Sequence, residues 1–298
     1  MVAVGAALWG LDGLFRRGLS LQLPAATVVF WEHLILVAVT LPLLIRFRRR
    51  RIHLTRWDWT ALLLIGIGAS AVATILFTQA FSYGHPTTPL LLQKLQPLIA
   101  ILGARVLLSE RLLPRFVRYF SLAVGGAFLV SFPDPANLSL SGLAPAAYAV
   151  GAAALWAMGT VLGRHLTPKI RPSELTALRF AIGLPASIVI VILQEEVSVA
   201  ASIGLTELRT LTLLALIPGL AALSIYYRGL ARTPASIATL AELAFPLTAI
   251  LIGWSVFDTV PTATQWVGIF ILTATIIAMS RAAQQGSESL GVHFPEPV

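Results

Sequence analysis

The chain has no cysteine in 298 residues, only five histidines, and charged residues make up just 11% of it. Without cysteine there is neither a disulfide framework nor a thiolate metal site. The histidines (His33, His53, His85, His165, His293) are scattered over different segments, and no His-Glu-x-x-His pair occurs. A Gly-x-Ser-x-Gly elbow and a glycine-rich phosphate loop are also missing, which argues against a hydrolase and against an ATP-driven pump in one chain. No metal or cofactor is expected, and the chain is not expected to be an enzyme.

What fills the sequence is apolar: 57% of residues are hydrophobic and the mean hydropathy is +0.85, far from the balance of a soluble domain. A spanning helix needs roughly 20 apolar residues to cross about 30 Å of hydrocarbon. Ten runs qualify, at 2–19, 24–46, 58–82, 86–109, 115–132, 141–163, 173–193, 210–230, 234–256 and 262–281. The first carries Asp12, Arg16 and Arg17 and lacks a basic leader, so it reads as a span and not as a signal peptide. The expected fold is an all-α integral membrane protein.

The formal charge of +8 follows topology. Arg46, Arg48 to Arg51, Arg56, Arg111, Arg115, Arg118, Arg164, Lys169, Arg171, Arg228, Arg232 and Arg281 fall in loops on one side, and the positive-inside rule makes that side cytoplasmic. Both termini are then cytoplasmic, in a bacterial inner membrane. Arg16, Arg17 and Arg209 fall on the other side, with acidic Asp134, Glu195, Glu196, Glu207 and Asp258. The expected partners are a small-molecule substrate and the lipid bilayer, with no nucleic acid, and a monomer is the expected form.

The chain repeats itself. Ala7-Leu8-Trp9 opens its first half and Ala154-Leu155-Trp156 its second, each followed by long apolar runs. With five spans per half the second copy sits upside down, the mark of secondary transporters whose site lies between the halves. The halves are residues 1–140 and 141–283, with a cytoplasmic tail at 284–298. Pro97 and Pro246 occupy matching places in spans four and nine, and four residues earlier stand Gln93 and Glu242. Each interior proline removes one helical bond and frees that carbonyl, leaving a bend beside a polar side chain. Both prolines are candidate hinges.

These features resemble the drug/metabolite transporter superfamily, in particular its EamA-type members, ten-helix proteins of two inverted five-helix repeats. The resemblance rests on Leu8-Trp9-Gly10, Ala80-Phe81-Ser82-Tyr83-Gly84, Gln96-Pro97 followed by Glu110, then Leu155-Trp156-Ala157, Arg228-Gly229-Leu230-Ala231 and Phe245-Pro246. The second half departs where the acidic residue is expected, placing Thr259 there with Asp258 before it. The resemblance implies a secondary transporter working by alternating access, most like exporters of neutral or aromatic amino acids and related metabolites. Alternatives are an importer or exchanger of a nucleoside or sugar-linked solute, or a channel or receptor without transport.

Charges inside spans are costly and should face a cavity or one another. Lys94, next to Gln93, can approach Glu242 across the pseudo-two-fold axis and bracket a zwitterion, or else lock two helices as a structural ion pair. Trp9, Gln79, Tyr83, Gln93, Tyr148, Trp156, Tyr226 and Tyr227 are candidate cavity lining. Asp12, Glu32 and His33 are candidates for proton coupling, although Glu32 and His33 point roughly 100° apart on one helix. Gly159 and Gly163, four apart, read as a close-packing face.

Overall fold

The computed structural model describes residues 1–20, 22–50, 52–81, 92–110, 112, 115–132, 134, 143–258 and 260–289. Among them all regular structure is helical. The helices are α1 (Val2–Trp9), α2 (Asp12–Ser20), α3 (Ala25–Arg49), α4 (Arg56–Leu63), α5 (Ala73–Phe81), α6 (Gln96–Leu107), α7 (Phe116–Ser131), α8 (Leu143–Leu166), α9 (Pro172–Leu193), α10 (Val197–Ala201), α11 (Leu205–Leu214), α12 (Ala222–Leu230), α13 (Ala235–Ala241), α14 (Phe245–Phe257) and α15 (Ala263–Ser289). Six continuous stretches are long and apolar enough to cross a membrane: Ala25–Arg49, Arg56–Ala80, Leu143–Leu166, Pro172–Leu193, Leu205–Leu230 and Ala235–Val256. Gln96–Leu107, Phe116–Ser131 and Ala263–Met279 are shorter apolar helices.

The first run, expected as one helix over 2–19, is two. Gly10 ends α1, and short-range bonds from Gly10 N–H to the Ala7 carbonyl and from Leu11 N–H to that of Leu8 carry the chain into α2. Gly10 also has no room for a side chain: an added Cβ would stand 2.6 Å from the Phe245 carbonyl oxygen. At the other end α15 runs on to Ser289, so the tail expected from 284 starts as helix.

Helix irregularities fall at matching places in the two halves. The turn Leu64–Val72 is a π-helix between α4 and α5, and Ala215–Ala221 is another between α11 and α12. Pro218 gives the second a cause, since its missing N–H cannot serve the carbonyl one turn back. The 3₁₀ turns Gln93–Leu95 and Glu242–Ala244 lead into α6 and α14. Ser109 and Asp258 follow those helices and both take left-handed backbone, at φ 53° and 52°.

Packing has the same symmetry. α1 lies on α12 and α8 on α5, while α3 pairs with α9, α6 with α13, and α7 with α15. Small residues fill the interior, with Ala69, Ala104, Ala152, Ala157 and Ala238 fully buried, whereas Val106, Leu193 and Phe270 are about three-quarters exposed. Small residues among buried Leu36, Ile65 and Leu162, with large apolar groups also facing outward, suit helices packed within lipid. Trp57, Trp59, Trp254 and Trp266 are also exposed near span ends, where indole rings favour the headgroup level.

Gly159 and Gly163 have the packing role expected. A Cβ at Gly159 would lie 2.7 Å from that of Ala69, and one at Gly163 would lie 2.8 Å from the Tyr227 ring. Gly159→Val should therefore lower the unfolding free energy by about 1–3 kcal/mol, measured by denaturant titration in detergent. Gly125→Ala, whose added methyl meets nothing, should leave it unchanged; equal stability of wild type and Gly159→Val would contradict this packing.

Candidate functional site

The site starts from two missing N–H groups. Pro97 and Pro246 cannot donate to the carbonyls of Gln93 and Glu242, so those carbonyls accept from the residue before each proline, Gln96 N–H in one half and Phe245 N–H in the other. Each helix tightens for one turn at that point, which brings side chains three apart into line. Gln96 is thereby set over Gln93. Both prolines are buried, and both make a change of helix type rather than only a bend.

The Glu242 carboxylate is buried, with 6% exposure. Its Oε1 accepts from Tyr226 Oη at 2.7 Å and from Thr160 Oγ1 at 2.8 Å, and the two hydroxyls stand 3.0 Å apart. Its Oε2 accepts from Gln96 Nε2 at 2.7 Å. Three neutral donors from three helices, one of them in the first half, thus hold one carboxylate. Two neighbouring polar atoms on the same helices, Gln93 Oε1 and Thr239 Oγ1, are buried with no partner.

Aromatic rings flank this cluster in matching pairs. Trp9 lies 5.0 Å from Tyr226, and Trp156, one turn before Thr160, lies 4.9 Å from Phe77. Tyr227 packs edge-on to Tyr226 at 5.5 Å and accepts a 3.3 Å bond from Arg179 Nη1, while Arg179 Nη2 donates to the Ala69 carbonyl at 2.8 Å. Trp9, Tyr226, Tyr227 and Glu242 are thus linked by contact, Trp156 stands one turn from Thr160, and Gln93 lies in the 3₁₀ turn before α6. Gln79, half-buried, lies two residues past Phe77 and faces the other side of α5. Tyr148 lies three turns before Thr160 on α8, some distance along the axis. Tyr83 and the Lys94 side chain lie outside the described residues. The expected Lys94 to Glu242 pair falls outside this description, and Gln96, from the same turn of the first half, reaches Glu242.

The proton-coupling candidates divide. Arg16 binds Asp12 through Nε at 2.6 Å and Nη2 at 2.8 Å, and Glu32 through Nη2 at 3.1 Å, so Asp12 and Glu32 share one guanidinium, which the sequence reading counted only among the charges of the non-cytoplasmic side. His33 stands apart: Nδ1 contacts the Val29 carbonyl at 2.8 Å and Nε2 contacts Ser70 Oγ at 3.0 Å. A carbonyl partner requires Nδ1 to carry the proton, and with the Ser70 hydroxyl on Nε2 both ring nitrogens are satisfied between packed helices.

Two carboxylates join the halves at opposite ends of the bundle. Glu110, beyond α6, accepts from Ala235 N–H at 2.7 Å, Ser236 N–H at 3.0 Å and Ser236 Oγ at 2.9 Å, satisfying donors that the start of α13 leaves open. Glu196, beyond α9, accepts from Thr27 N–H at 3.0 Å and Thr27 Oγ1 at 2.9 Å at the start of α3. The other end of α3 is tied to the second half by Arg50 and Glu174, 2.7 Å apart.

Residues the sequence reading passed over are Gln96 and Thr160 as partners of Glu242. Each had a signal, since Gln96 is three residues from Gln93 and Thr160 four from Trp156, on the same helix faces. The model of the EamA-like transporter family matches residues 1–132 and 143–281. The riboflavin transporter ImpX of Fusobacterium nucleatum is 28% identical over 290 residues, covering 94% of this chain and 96% of its own. A riboflavin transporter of Brucella anthropi is 24% identical over 268 residues, 89% of this chain and 90% of its own. A crystal structure 17% identical in sequence superposes with a TM-score of 0.75 over 98% of both chains, a likeness of fold alone. From the family match over nearly its whole length, the chain belongs to the EamA-like transporter family, within the drug/metabolite transporter superfamily.

Proposed function

We propose that this transporter carries riboflavin, or a flat, uncharged heteroaromatic solute of that kind, across the cytoplasmic membrane by alternating access between two inverted five-helix halves. The observation that carries the reading is the Glu242 carboxylate held by Gln96, Thr160 and Tyr226 between the ring pairs Trp9–Tyr226 and Trp156–Phe77. Flat rings stack on such walls, and neutral donors already on the carboxylate can be exchanged for a solute's own N–H and O–H groups. The names of the two relatives point the same way. The amino-acid cargo was expected from the family resemblance, with Lys94 and Glu242 as a hypothesised bracket; the neutral donors on Glu242 suit a neutral solute. Ten spans and the division near residue 140 are supported by the matching π and 3₁₀ turns and by the exchange symmetry of helix pairing; cytoplasmic termini rest on the arginine-rich loops. Net flux follows the solute gradient.

Purified protein in liposomes should take up labelled riboflavin by counterflow, saturably and with competition by unlabelled riboflavin. Glu242→Gln should raise the half-saturating concentration about tenfold or more, in line with a lost hydrogen bond to a charged group. Uptake of amino acids without riboflavin uptake would restore the amino-acid cargo and overturn this one.

Within this reading Glu110 and Glu196 are latches at the two membrane faces. The cysteine-free chain allows a direct check with single reporters at buried Ala238 and Ala200, 0% and 7% exposed. Glu110→Ala should speed maleimide labelling of Ala238→Cys and not of Ala200→Cys, and Glu196→Ala should do the reverse. Unchanged labelling in both backgrounds would remove the latches from the mechanism.

A further inference from the structure

Arg179 is a guanidinium within the bundle to which no described carboxylate is hydrogen-bonded. It sits on α9 where the π turn Leu64–Val72, α8 and α12 meet, beside the close contact of Gly159 with Ala69: a Cβ at Gly159 would come within 2.7 Å of that of Ala69 and 3.9 Å of Nη1. Two of its nitrogens are placed, Nη2 on the Ala69 carbonyl and Nη1 on Tyr227 Oη. Its Nε is buried and has no partner. A cation inside membrane-spanning helices is costly and marks a functional site by default, and here the Glu242 carboxylate lies within reach of its charge. A buried donor left open likewise calls for an acceptor brought from outside the chain.

Arg179 and Glu242 stand at the two ends of one chain of contacts, running from Arg179 to the Tyr227 hydroxyl, across the Tyr227 and Tyr226 rings, to Glu242 Oε1. One end offers an N–H donor, the other an acceptor, and aromatic faces lie between. We propose that Arg179 is a specificity-determining residue whose Nε–H reads a carbonyl oxygen of the solute, with Glu242 accepting from a solute N–H. The class of solute this pair selects is a flat heterocycle with an imide edge, where a ring N–H stands beside ring carbonyls. The inference rests on the riboflavin reading, because the isoalloxazine ring carries such an edge, and it assigns the edge to named atoms.

The test is counterflow with riboflavin in wild type, Arg179→Lys and Arg179→Gln, with monodispersity in detergent confirming fold. Lysine keeps the charge but has no Nε–H in the guanidinium plane, so both variants should raise the half-saturating concentration about tenfold while maximal flux holds. Wild-type half-saturation in either folded variant, or a fall in maximal flux alone, overturns the proposal. A measurement free of variants stands beside it: 2-thio- and 4-thioriboflavin replace one carbonyl oxygen each by a weaker acceptor, and one of them should compete at least about fivefold less well than riboflavin in wild type. Equal competition by both overturns the proposal even if the variants do not fold. No riboflavin exchange by wild type sinks the parent reading itself, and the recognition role with it.

Discussion

A carboxylate in an apolar helix bundle is tolerable only if its oxygens are bonded, and the arrangement around Glu242 follows from that requirement. Gln96, Thr160 and Tyr226 come from separate helices to meet it, which fixes α8 and α12 against the turn before α14 and ties the first half to the second. The cost of leaving such a group unpaired, several kcal/mol in a low-dielectric interior, sets how closely these helices must stay in register. Small residues then let them do so: Gly163 admits the Tyr227 ring and Gly10 admits the backbone at Phe245.

Prolines supply the local geometry that this bond network uses. Because Pro97 and Pro246 have no N–H, one helical bond is missing from each helix, and the chain replaces it with a 3₁₀ turn that starts at a polar residue. A helix with a weakened turn beside a polar group can change shape there at little cost, while the ends remain pinned by Glu110 and Glu196. The halves are thus joined at both faces and in the middle, so a rocking motion must trade one set of contacts for another.

Much of this was legible in the sequence, and the failures have physical reasons. The pairing of Gln93 with Glu242 and of Pro97 with Pro246 was visible because proline chemistry is local. So was the packing face of Gly159 and Gly163, which needs only helical spacing. The partners of Glu242 were hidden: Thr160 and Gln96 are neutral residues whose value comes only from the helix that lands opposite them. The break at Gly10 was missed because apolar composition runs on through it, and Arg16 counted only as a charge of the non-cytoplasmic side because its ion pairs with Asp12 and Glu32 are made by folding. Glu32 and His33 do face different ways, as their adjacency on a helix requires, and the structure gives each its own partner.

The central claim is that the Glu242 carboxylate binds the solute, and flavin fluorescence titrated with purified protein tests it most directly. Wild type should quench the flavin saturably, one site per chain, whereas Glu242→Gln, which keeps the shape and removes the charged acceptor, should bind more weakly by about tenfold. Identical titrations for the two proteins, or no quenching by wild type, would contradict the account.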